Sequence, residues 1–282
     1  MDAPRGADPT FPDERTRELF RPLAADPQET VVVTDFDGTL SPLVDDPSSA
    51  RPLDGVVSVL ARLVGSFATV AVVSGRPVSF LDDRLGTGPH GPPRAGGPRL
   101  IGLYGMESLD PDGGVVVDES AAAWVPVVGD VGESLRGDAP DGVLVEVKHT
   151  AVTVHWRRAP GAEDWAAARV GEEVARSGLV AHPGRESIEL RPPIAIDKGT
   201  TVRSLATGHR GVCFLGDDIG DLPAFAELLR LRSEGVATVG VAVIDDDTAP
   251  EVVVAADASV AGPREGLALL EWLADAAGAP QA

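Results

Sequence analysis

Six short, largely apolar runs recur along this 282-residue chain, most of them next to stretches with helical periodicity. Strands that are apolar on both faces are typical of a parallel sheet that is covered by helices on each side. The runs lie at 31–34, 68–73, 100–105, 212–215, 238–244 and 252–256. We therefore predict an α/β fold with a three-layer, Rossmann-like core, in which all six segments join one parallel sheet.

The middle of the chain has a different periodicity. Its strand-like segments alternate apolar and polar side chains, which is the pattern of antiparallel strands with one solvated face. These segments are 143–148, 152–157 and 187–191, and amphipathic helical stretches lie at about 119–136 and 162–177. The pattern predicts an inserted α/β cap made of an antiparallel sheet and two helices.

These patterns suggest how the chain divides. The expected parts are an N-terminal tail with a short helix at 1–26, a core at 27–107 and 194–282, and a cap at 108–193. Within the tail, we expect residues 1–10 to be disordered and 12–25 to be helical. The Gly- and Pro-rich stretch at 86–98 is predicted to be a loop.

The composition excludes several classes of partner. The formal net charge of −20 disfavours binding to nucleic acids and to anionic membranes. One cysteine, Cys213, excludes an internal disulfide and fits a reducing compartment. No stretch reaches the roughly 18–20 apolar residues of a membrane span, and the N-terminus has no apolar leader. We expect a cytoplasmic protein, with a monomer favoured and the oligomeric state left open.

Two carboxylates follow the first apolar run, in Asp35-Phe36-Asp37-Gly38-Thr39. Ligands of open α/β sheets bind beyond the carboxyl ends of the strands, and a glycine there lets backbone amides approach an anion. One carboxylate can attack phosphorus while a second one transfers protons. The segment therefore suits a metal ion and a phosphate, and a simple polar turn is the alternative.

Three more segments place polar residues at predicted strand or helix ends. The hydroxyl and amides of Ser74-Gly75-Arg76 would bind phosphate oxygens, although an ordinary turn is the simpler explanation for this segment alone. Lys198, at the start of a helical stretch, would neutralise charge on a nucleophile or a phosphoryl group, unless it is a surface lysine. Asp217, Asp218 and Asp221 would bind a hard cation, unless they form a solvated loop.

Taken together and in this order, the four segments resemble the motifs of the haloacid dehalogenase superfamily of phosphohydrolases. That resemblance implies that Asp35 is the nucleophile and Asp37 the general acid/base. It also implies that Ser74 and Lys198 hold the phosphoryl group. The inserted segment lies where the superfamily places a larger α/β cap.

The same resemblance implies Mg²⁺ as the cofactor. The metal would be bound by Asp35, Asp217 and the backbone carbonyl of Asp37, with Asp218 or Asp221 in support. We therefore expect Asp35, Asp37, Asp217 and Asp218 at the metal, with the contribution of Asp221 left open.

Finer details are similar to the trehalose-6-phosphate phosphatase family, over roughly residues 30–275. The matching segments are Ser74-Gly75-Arg76, Gly102-Leu-Tyr-Gly105-Met-Glu107, Val145-Glu146-Val147-Lys148, His155-Trp156-Arg157, Glu189-Leu190-Arg191-Pro192 and Lys198-Gly199. The sequence departs from the family after Gly216-Asp217-Asp218, where many members continue with Thr-Asp-Glu and this chain has Ile219-Gly220-Asp221. This departure leaves the role of the third acid in doubt.

Strand alternation in the cap places charged side chains together on one face of its sheet. Such a face suits a sugar with many hydroxyls, because each buried hydroxyl needs a donor or an acceptor. A solvated sheet face is the alternative, and Arg157 is the residue that we assign to a structural role. The residues expected to bind the substrate are Gly75, Arg76, Glu146, Lys148, His155, Glu189 and Arg191.

The leading hypothesis is hydrolysis of trehalose 6-phosphate, a small-molecule sugar phosphate, to trehalose and phosphate. A phosphatase of the same fold that acts on sucrose phosphate or glucosylglycerol phosphate is the second hypothesis, because only the cap residues bear on the sugar. A non-catalytic protein that binds sugar phosphates is the third, and the presence of both Asp35 and Asp37 argues against it.

Overall fold

The computed structural model describes residues 12–44, 46–86, 97–110, 112–184 and 186–278. The expectations for residues 1–10 and for most of the loop at 86–98 therefore lie outside the described part of the chain. The chain forms two compact units, the first comprising Met1–Val115 with Ile196–Ala282 and the second Val116–Ala195. No helix within the described ranges combines the length and the apolar composition that a bilayer crossing requires.

The strands and helices of the described residues are as follows. The strands are β1 (Thr30–Thr34), β2 (Thr69–Val73), β3 (Arg99–Gly102), β4 (Glu107–Leu109), β5 (Val115–Val117), β6 (Leu144–Val147), β7 (Val152–His155), β8 (Val180–Gly184), β9 (Ser187–Arg191), β10 (Gly211–Gly216), β11 (Ala237–Ile244) and β12 (Ala258–Ala261). The helices are α1 (Glu14–Ala25), α2 (Val56–Ser66), α3 (Val78–Leu85), α4 (Glu119–Ala122), α5 (Val125–Gly137), α6 (Glu163–Ser177), α7 (Lys198–Ala206), α8 (Leu222–Ser233), α9 (Pro250–Ala255) and α10 (Gly262–Gly278).

The large sheet has the strand order β12-β11-β10-β1-β2-β3-β4-β5. Pairing is parallel from β12 through β3, and β4 then runs antiparallel to β3. Strand β1 lies between β2 and β10, with Thr34 in register with both Val72 and Leu215. The carboxyl ends of these three strands therefore meet at one edge of the sheet.

Each face of the large sheet is covered by helices. Val32 points into a buried cluster that includes Phe20 of α1 and Leu63 of α2. Its neighbours Val31 and Val33 lie in a second buried cluster, with residues of α7, α8 and α9. Successive side chains of β1 therefore point into two separate apolar layers, one on each face of the sheet, which explains why the valines of β1 are consecutive. The predicted three-layer α/β core is confirmed.

Two details of the predicted sheet were wrong. Residues 252–256 were expected to form its sixth strand, but Pro250 begins a short helix, α9, and the strand is β12 instead. A short apolar run does not distinguish a strand from a helix, and α9 buries only Val252, leaving Val254 exposed. The third strand also ends at Gly102, because the backbone turns at Leu103 and Tyr104, both with positive φ.

The second unit contains a four-stranded antiparallel sheet in the order β6-β7-β9-β8, together with α4, α5 and α6. Its buried cluster joins Val152 and Val154 of β7 to Leu135 of α5 and Val170 of α6. The predicted antiparallel cap with helices is therefore confirmed. Strand β8 was not predicted, because Pro183 and Gly184 are depleted in strands and are tolerated at an edge such as this one.

Candidate active site

The end of β1 places Asp35 beside the neighbouring strand. The Asp35 amide donates to the Leu215 carbonyl at 2.8 Å, which continues the pairing of β1 with β10, and only 4% of Asp35 is exposed. Gly38 then turns the chain with a φ of +70°. A Cβ at Gly38 would overlap the Asp217 carboxylate, so this glycine permits the close approach of the loops after β1 and β10.

Three carboxylates form a buried cluster at this edge of the sheet. Asp35, Asp217 and Asp221 each have a carboxylate oxygen within 4.8 Å of the others. The backbone amides of Asp217 and Asp218 donate to Asp221 Oδ2 at 2.8 and 3.2 Å. The Thr39 hydroxyl donates to Asp217 Oδ1 at 3.1 Å. The carboxylates are therefore fixed by the loops that carry them.

Lys198 supplies the positive charge of the cluster. Its Nζ lies 2.9 Å from Asp35 Oδ1 and 2.5 Å from Asp221 Oδ1. The side chain is placed by the start of α7, where Asp197 and Thr200 form a reciprocal capping box. Burial alone would lower the pKa of Lys198, but the charges of Asp221 and Asp35 outweigh it and raise the pKa well above its ordinary value.

Three ionised carboxylates would carry more negative charge than one lysine neutralises. Burial raises the pKa of Asp217 to about 10, and the negative charges of Asp35 and Asp221 add to the effect. Burial likewise raises the pKa of Asp35 and of Asp221, although Lys198 opposes the shift. Three buried carboxylates that only one lysine offsets fit a hard divalent cation such as Mg²⁺, whose charge would favour their ionised forms.

The structure places one of the residues expected at the metal outside the carboxylate cluster. Asp218, which we expected at the metal, is exposed and lies outside the three-carboxylate cluster, whereas Asp221 is fully buried within it. The reason is a turn of 3-10 helix at Ile219–Asp221, which returns the Asp221 side chain to the end of β10. The spacing of four residues between Asp217 and Asp221 was the signal in the sequence for this return.

Asp37 and the segment after β2 form a second group of contacts. Arg76 Nε and Nη2 donate to the two carboxylate oxygens of Asp37 at 2.7 and 2.8 Å. Ser74 is buried, and its hydroxyl oxygen accepts from the Arg76 amide at 3.2 Å. A Cβ at Gly75 would meet the Tyr104 hydroxyl. The side chain of Asp37 is thus paired with an arginine, and its backbone lies two residues after Asp35.

The polar face of the cap sheet carries its own network, centred on Glu189. Lys148 Nζ lies 2.6 Å from Glu189 Oε1, and Arg191 Nε donates to Glu189 Oε2 at 2.6 Å. The Thr153 hydroxyl also donates to Glu189 Oε1, at 3.1 Å. Burial would raise the pKa of Glu189, but Lys148 and Arg191 outweigh it and lower the pKa to about 2.

A second cap pair lies on the neighbouring strands. His155 Nε2 is 3.3 Å from Glu146 Oε2, and both side chains are partly exposed. The expected cap residues therefore form two groups, one built on Glu189 and one on Glu146. Arg157, which we assigned to a structural role, pairs with Glu186 at the exposed end of the sheet.

The fold is that of the haloacid dehalogenase-like proteins. The structure superimposes with a TM-score of 0.71 on the C-terminal domain of a trehalose-6-phosphate phosphatase from C. albicans, at 23% identity and covering 92% of this chain and 96% of that one. A trehalose-6-phosphate phosphatase related protein gives 0.69 at 22% identity, covering 87% of this chain and 97% of that one. A haloacid dehalogenase-like hydrolase from Bacteroides thetaiotaomicron gives 0.55 at 16% identity, covering 85% and 98%.

Sequence comparison identifies the family to which this chain belongs. The profile of the trehalose-phosphatase family matches residues 33–251, so this chain belongs to that family. A trehalose-phosphate phosphatase from Mycolicibacterium paratuberculosis is 36% identical over 260 residues, covering 86% of this chain and 62% of that protein. One from Mycobacterium marinum is 39% identical over 224 residues, covering 73% and 53%. The chain therefore spans less than two thirds of the length of these relatives.

Proposed function

We propose that this protein is a Mg²⁺-dependent phosphatase that hydrolyses trehalose 6-phosphate to trehalose and phosphate through an aspartyl-phosphate intermediate. The observation that carries the proposal is the Asp35 carboxylate, held 2.9 Å from Lys198 Nζ beside Asp217 and Asp221. Membership of the trehalose-phosphatase family supports the choice of substrate.

The first chemical step is transfer of the phosphoryl group to Asp35. One Asp35 oxygen forms a bond to phosphorus while the bond from phosphorus to the sugar oxygen breaks. Protonated Asp37 gives its proton to that departing oxygen, which releases the sugar as an alcohol. Ser74 and Lys198 hold the phosphoryl oxygens during this transfer.

The second step regenerates the free enzyme. Asp37, now a carboxylate, takes a proton from a water molecule as the water oxygen bonds to phosphorus, and the bond between phosphorus and Asp35 breaks. Asp35, Asp217 and Asp221 are the side chains that would hold Mg²⁺, together with the backbone carbonyl of Asp37. When bound, the cation neutralises negative charge that the transferring phosphoryl group brings to the cluster.

The cap residues supply the preference for a sugar. Glu189 and Arg191 on β9, with Lys148 directly after β6, offer charged donors and acceptors, and Glu146 and His155 add a second pair. Polar groups that match sugar hydroxyls discriminate strongly, because a wrong substrate leaves them without partners. We also propose that the cap comprises residues 108–193. The proposed location is the cytoplasm, where a sugar phosphate would be available.

The direct test is phosphate release from a panel of sugar phosphates, measured with Mg²⁺ and again with EDTA. We expect trehalose 6-phosphate to have the highest kcat/KM, and EDTA to abolish the activity. A higher kcat/KM for sucrose phosphate or glucosylglycerol phosphate would support the same chemistry with another sugar. Activity that EDTA leaves unchanged would contradict the metal assignment.

A further inference from the structure

The Asp37–Arg76 pair is more specific than a surface ion pair. Two nitrogens of one guanidinium bind the two oxygens of one carboxylate, at 2.7 and 2.8 Å. The side chains are only 28% and 16% exposed. Such a parallel, two-bond arrangement fixes the plane of the carboxylate as well as its position.

The arginine is itself held on several sides. Its backbone amide donates to Ser74 Oγ at 3.2 Å, and its carbonyl accepts from the Leu103 amide at 2.9 Å. Its guanidinium lies over the Phe80 ring, 4.6 Å from the centroid. Phe80 in turn packs edge-to-face against Phe36, with ring centroids 5.9 Å apart. Phe36 lies between Asp35 and Asp37 in the chain. The contacts of Arg76 and Phe80 therefore connect to the segment that carries the proposed nucleophile and acid.

An arginine that served only to bind phosphate would not need to donate to both carboxylate oxygens of Asp37, the proposed general acid. Two N–H groups of Arg76 occupy one side of the Asp37 carboxylate, and the remaining lone pairs of its oxygens are left in a fixed direction. A general acid is effective only when its proton faces the departing oxygen. The geometry therefore favours a role for Arg76 that acts through Asp37.

We propose that Arg76 is a positioning residue, which aims the carboxyl group of Asp37 at the departing oxygen of the substrate. This inference rests on the proposed phosphatase function. It assigns Arg76 a role in proton delivery, where its position in the sequence suggested phosphate binding. Phe80 supports that role by holding the guanidinium in the plane that pairs with Asp37.

The test compares two substrates that differ in their need for an acid. A sugar hydroxyl is a poor leaving group and needs a proton as it departs, whereas 4-nitrophenolate leaves without one. General acid catalysis contributes about 10²–10⁴-fold. We compare only the first step, as release of the leaving group in a single turnover, because hydrolysis of the aspartyl phosphate uses Asp37 with either substrate. We expect Arg76→Ala to slow release of trehalose from trehalose 6-phosphate by at least about 100-fold, and to change release of 4-nitrophenolate from 4-nitrophenyl phosphate by less than about threefold.

Two variants separate positioning from charge. Arg76→Lys keeps the charge but not the parallel pair of N–H groups, so it should recover little of the rate on trehalose 6-phosphate. Arg84→Ala is the matched control, because Arg84 stacks on the same Phe80 ring at 4.6 Å and makes its hydrogen bonds to the carbonyls of Ser48 and Ala50. This control should leave the ratio of the two rates unchanged.

A double variant tests whether Arg76 acts through Asp37. If it does, Arg76→Ala combined with Asp37→Ala should be no slower on the sugar phosphate than Asp37→Ala alone. Equal losses of rate on the two esters, or losses that multiply in the double variant, would overturn the inference. The melting temperature, measured by circular dichroism, reports that each variant is folded.

The two proposals can fail separately. If the parent protein rejects trehalose 6-phosphate, the proposed substrate is wrong, and the same ratio is then measured with glycerol phosphate, an alkyl ester that also needs an acid. A ratio that Arg76→Ala leaves unchanged with either alkyl ester would refute the role of Arg76, whichever substrate is preferred.

Discussion

Nζ of Lys198 lies 2.9 Å from Oδ1 of Asp35, and 3% and 6% of the two side chains are exposed. The pair joins the first residue of α7 to the end of β1. A buried ion pair of this kind is held by its surroundings, and removing one partner leaves the other charge without compensation. The Lys198–Asp35 ion pair therefore affects both the stability of the site and its proposed chemistry.

Replacing Lys198 with alanine should reduce both activity and stability. We expect at least a 100-fold loss of kcat, on the order of the effect of removing one preorganised donor from a transition state. The melting temperature should also fall, because the negative charges of Asp35 and Asp221 lose their partner. Arg210→Ala is the control, since its side chain is 80% exposed. A Lys198→Ala protein with near-parental turnover would contradict the assignment.

Replacing Asp35 with asparagine should abolish turnover and preserve the fold. Asparagine has nearly the same shape but cannot form the acyl phosphate. Burial and the nearby negative charges of Asp221 and Asp218 raise the pKa of Asp35, so a neutral group is tolerated there. We expect an unchanged or higher melting temperature together with the loss of phosphate release, because Lys198 keeps Asp221 as its charged partner. Residual Mg²⁺-dependent turnover near the parental rate would exclude Asp35 as the nucleophile.

Asp221 and Asp218 form a matched pair for testing the metal site. Asp221 is fully buried in the carboxylate cluster, whereas Asp218 is exposed and lies outside it. Calorimetric titration with Mg²⁺ should show at least a tenfold loss of affinity for Asp221→Asn, the scale of losing about 1.4 kcal/mol of binding. Asp218→Asn should change the affinity by less than about threefold, the effect of a partly screened charge. A larger loss of Mg²⁺ affinity for Asp218→Asn than for Asp221→Asn would instead support Asp218 as the ligand, as expected from the sequence.

Much of the site was predictable because its residues follow strands that lie next to one another. Asp35 and Asp217 directly follow β1 and β10, and parallel neighbours bring such residues to one edge of the sheet. The choice between Asp218 and Asp221 depended on a single turn of 3-10 helix, which strand patterns do not describe. The pairing of Arg76 with Asp37 depended on side-chain packing against Phe80.

The same limit explains the errors in the fold. Residues 252–254 are three consecutive valines, a run that is compatible with a strand or with a short helix. The preceding proline fits the first position of a helix, and that is where the structure places it. Strand β8 contains Pro183 and Gly184, so local propensity argued against it, and pairing with β9 stabilises it instead.

The cap should determine which phosphate ester is preferred. We expect Lys148→Ala to reduce kcat/KM for trehalose 6-phosphate by at least about 30-fold, the scale of removing one of the two charged partners of the buried Glu189. The rate on 4-nitrophenyl phosphate, which has no sugar, should change little. Arg157→Ala is the control, because the Arg157–Glu186 pair lies just beyond the strands of this sheet and is exposed. Equal losses on the two esters would argue against a cap that recognises the sugar.

Glu189 should also make the cap sensitive to acid. Its pKa is lowered from 4.5 to about 2 in the folded protein, so its contribution to stability is present above pH 4.5 and is lost as the pH falls through about 2. The lost contribution is about 3 kcal/mol, since each pKa unit corresponds to about 1.4 kcal/mol. Urea unfolding can be followed by tryptophan fluorescence, because Trp124, Trp156 and Trp165 all lie in the cap.

Glu189→Gln provides the comparison that isolates this group from the other carboxylates. The variant should be less stable than the parent at pH 7, because Lys148 and Arg191 lose the negative charge between them. The difference in unfolding free energy between the two proteins should then shrink as the pH falls from 4.5 towards 2. A difference that stays constant over this range would show that the ionisation of Glu189 does not stabilise the cap.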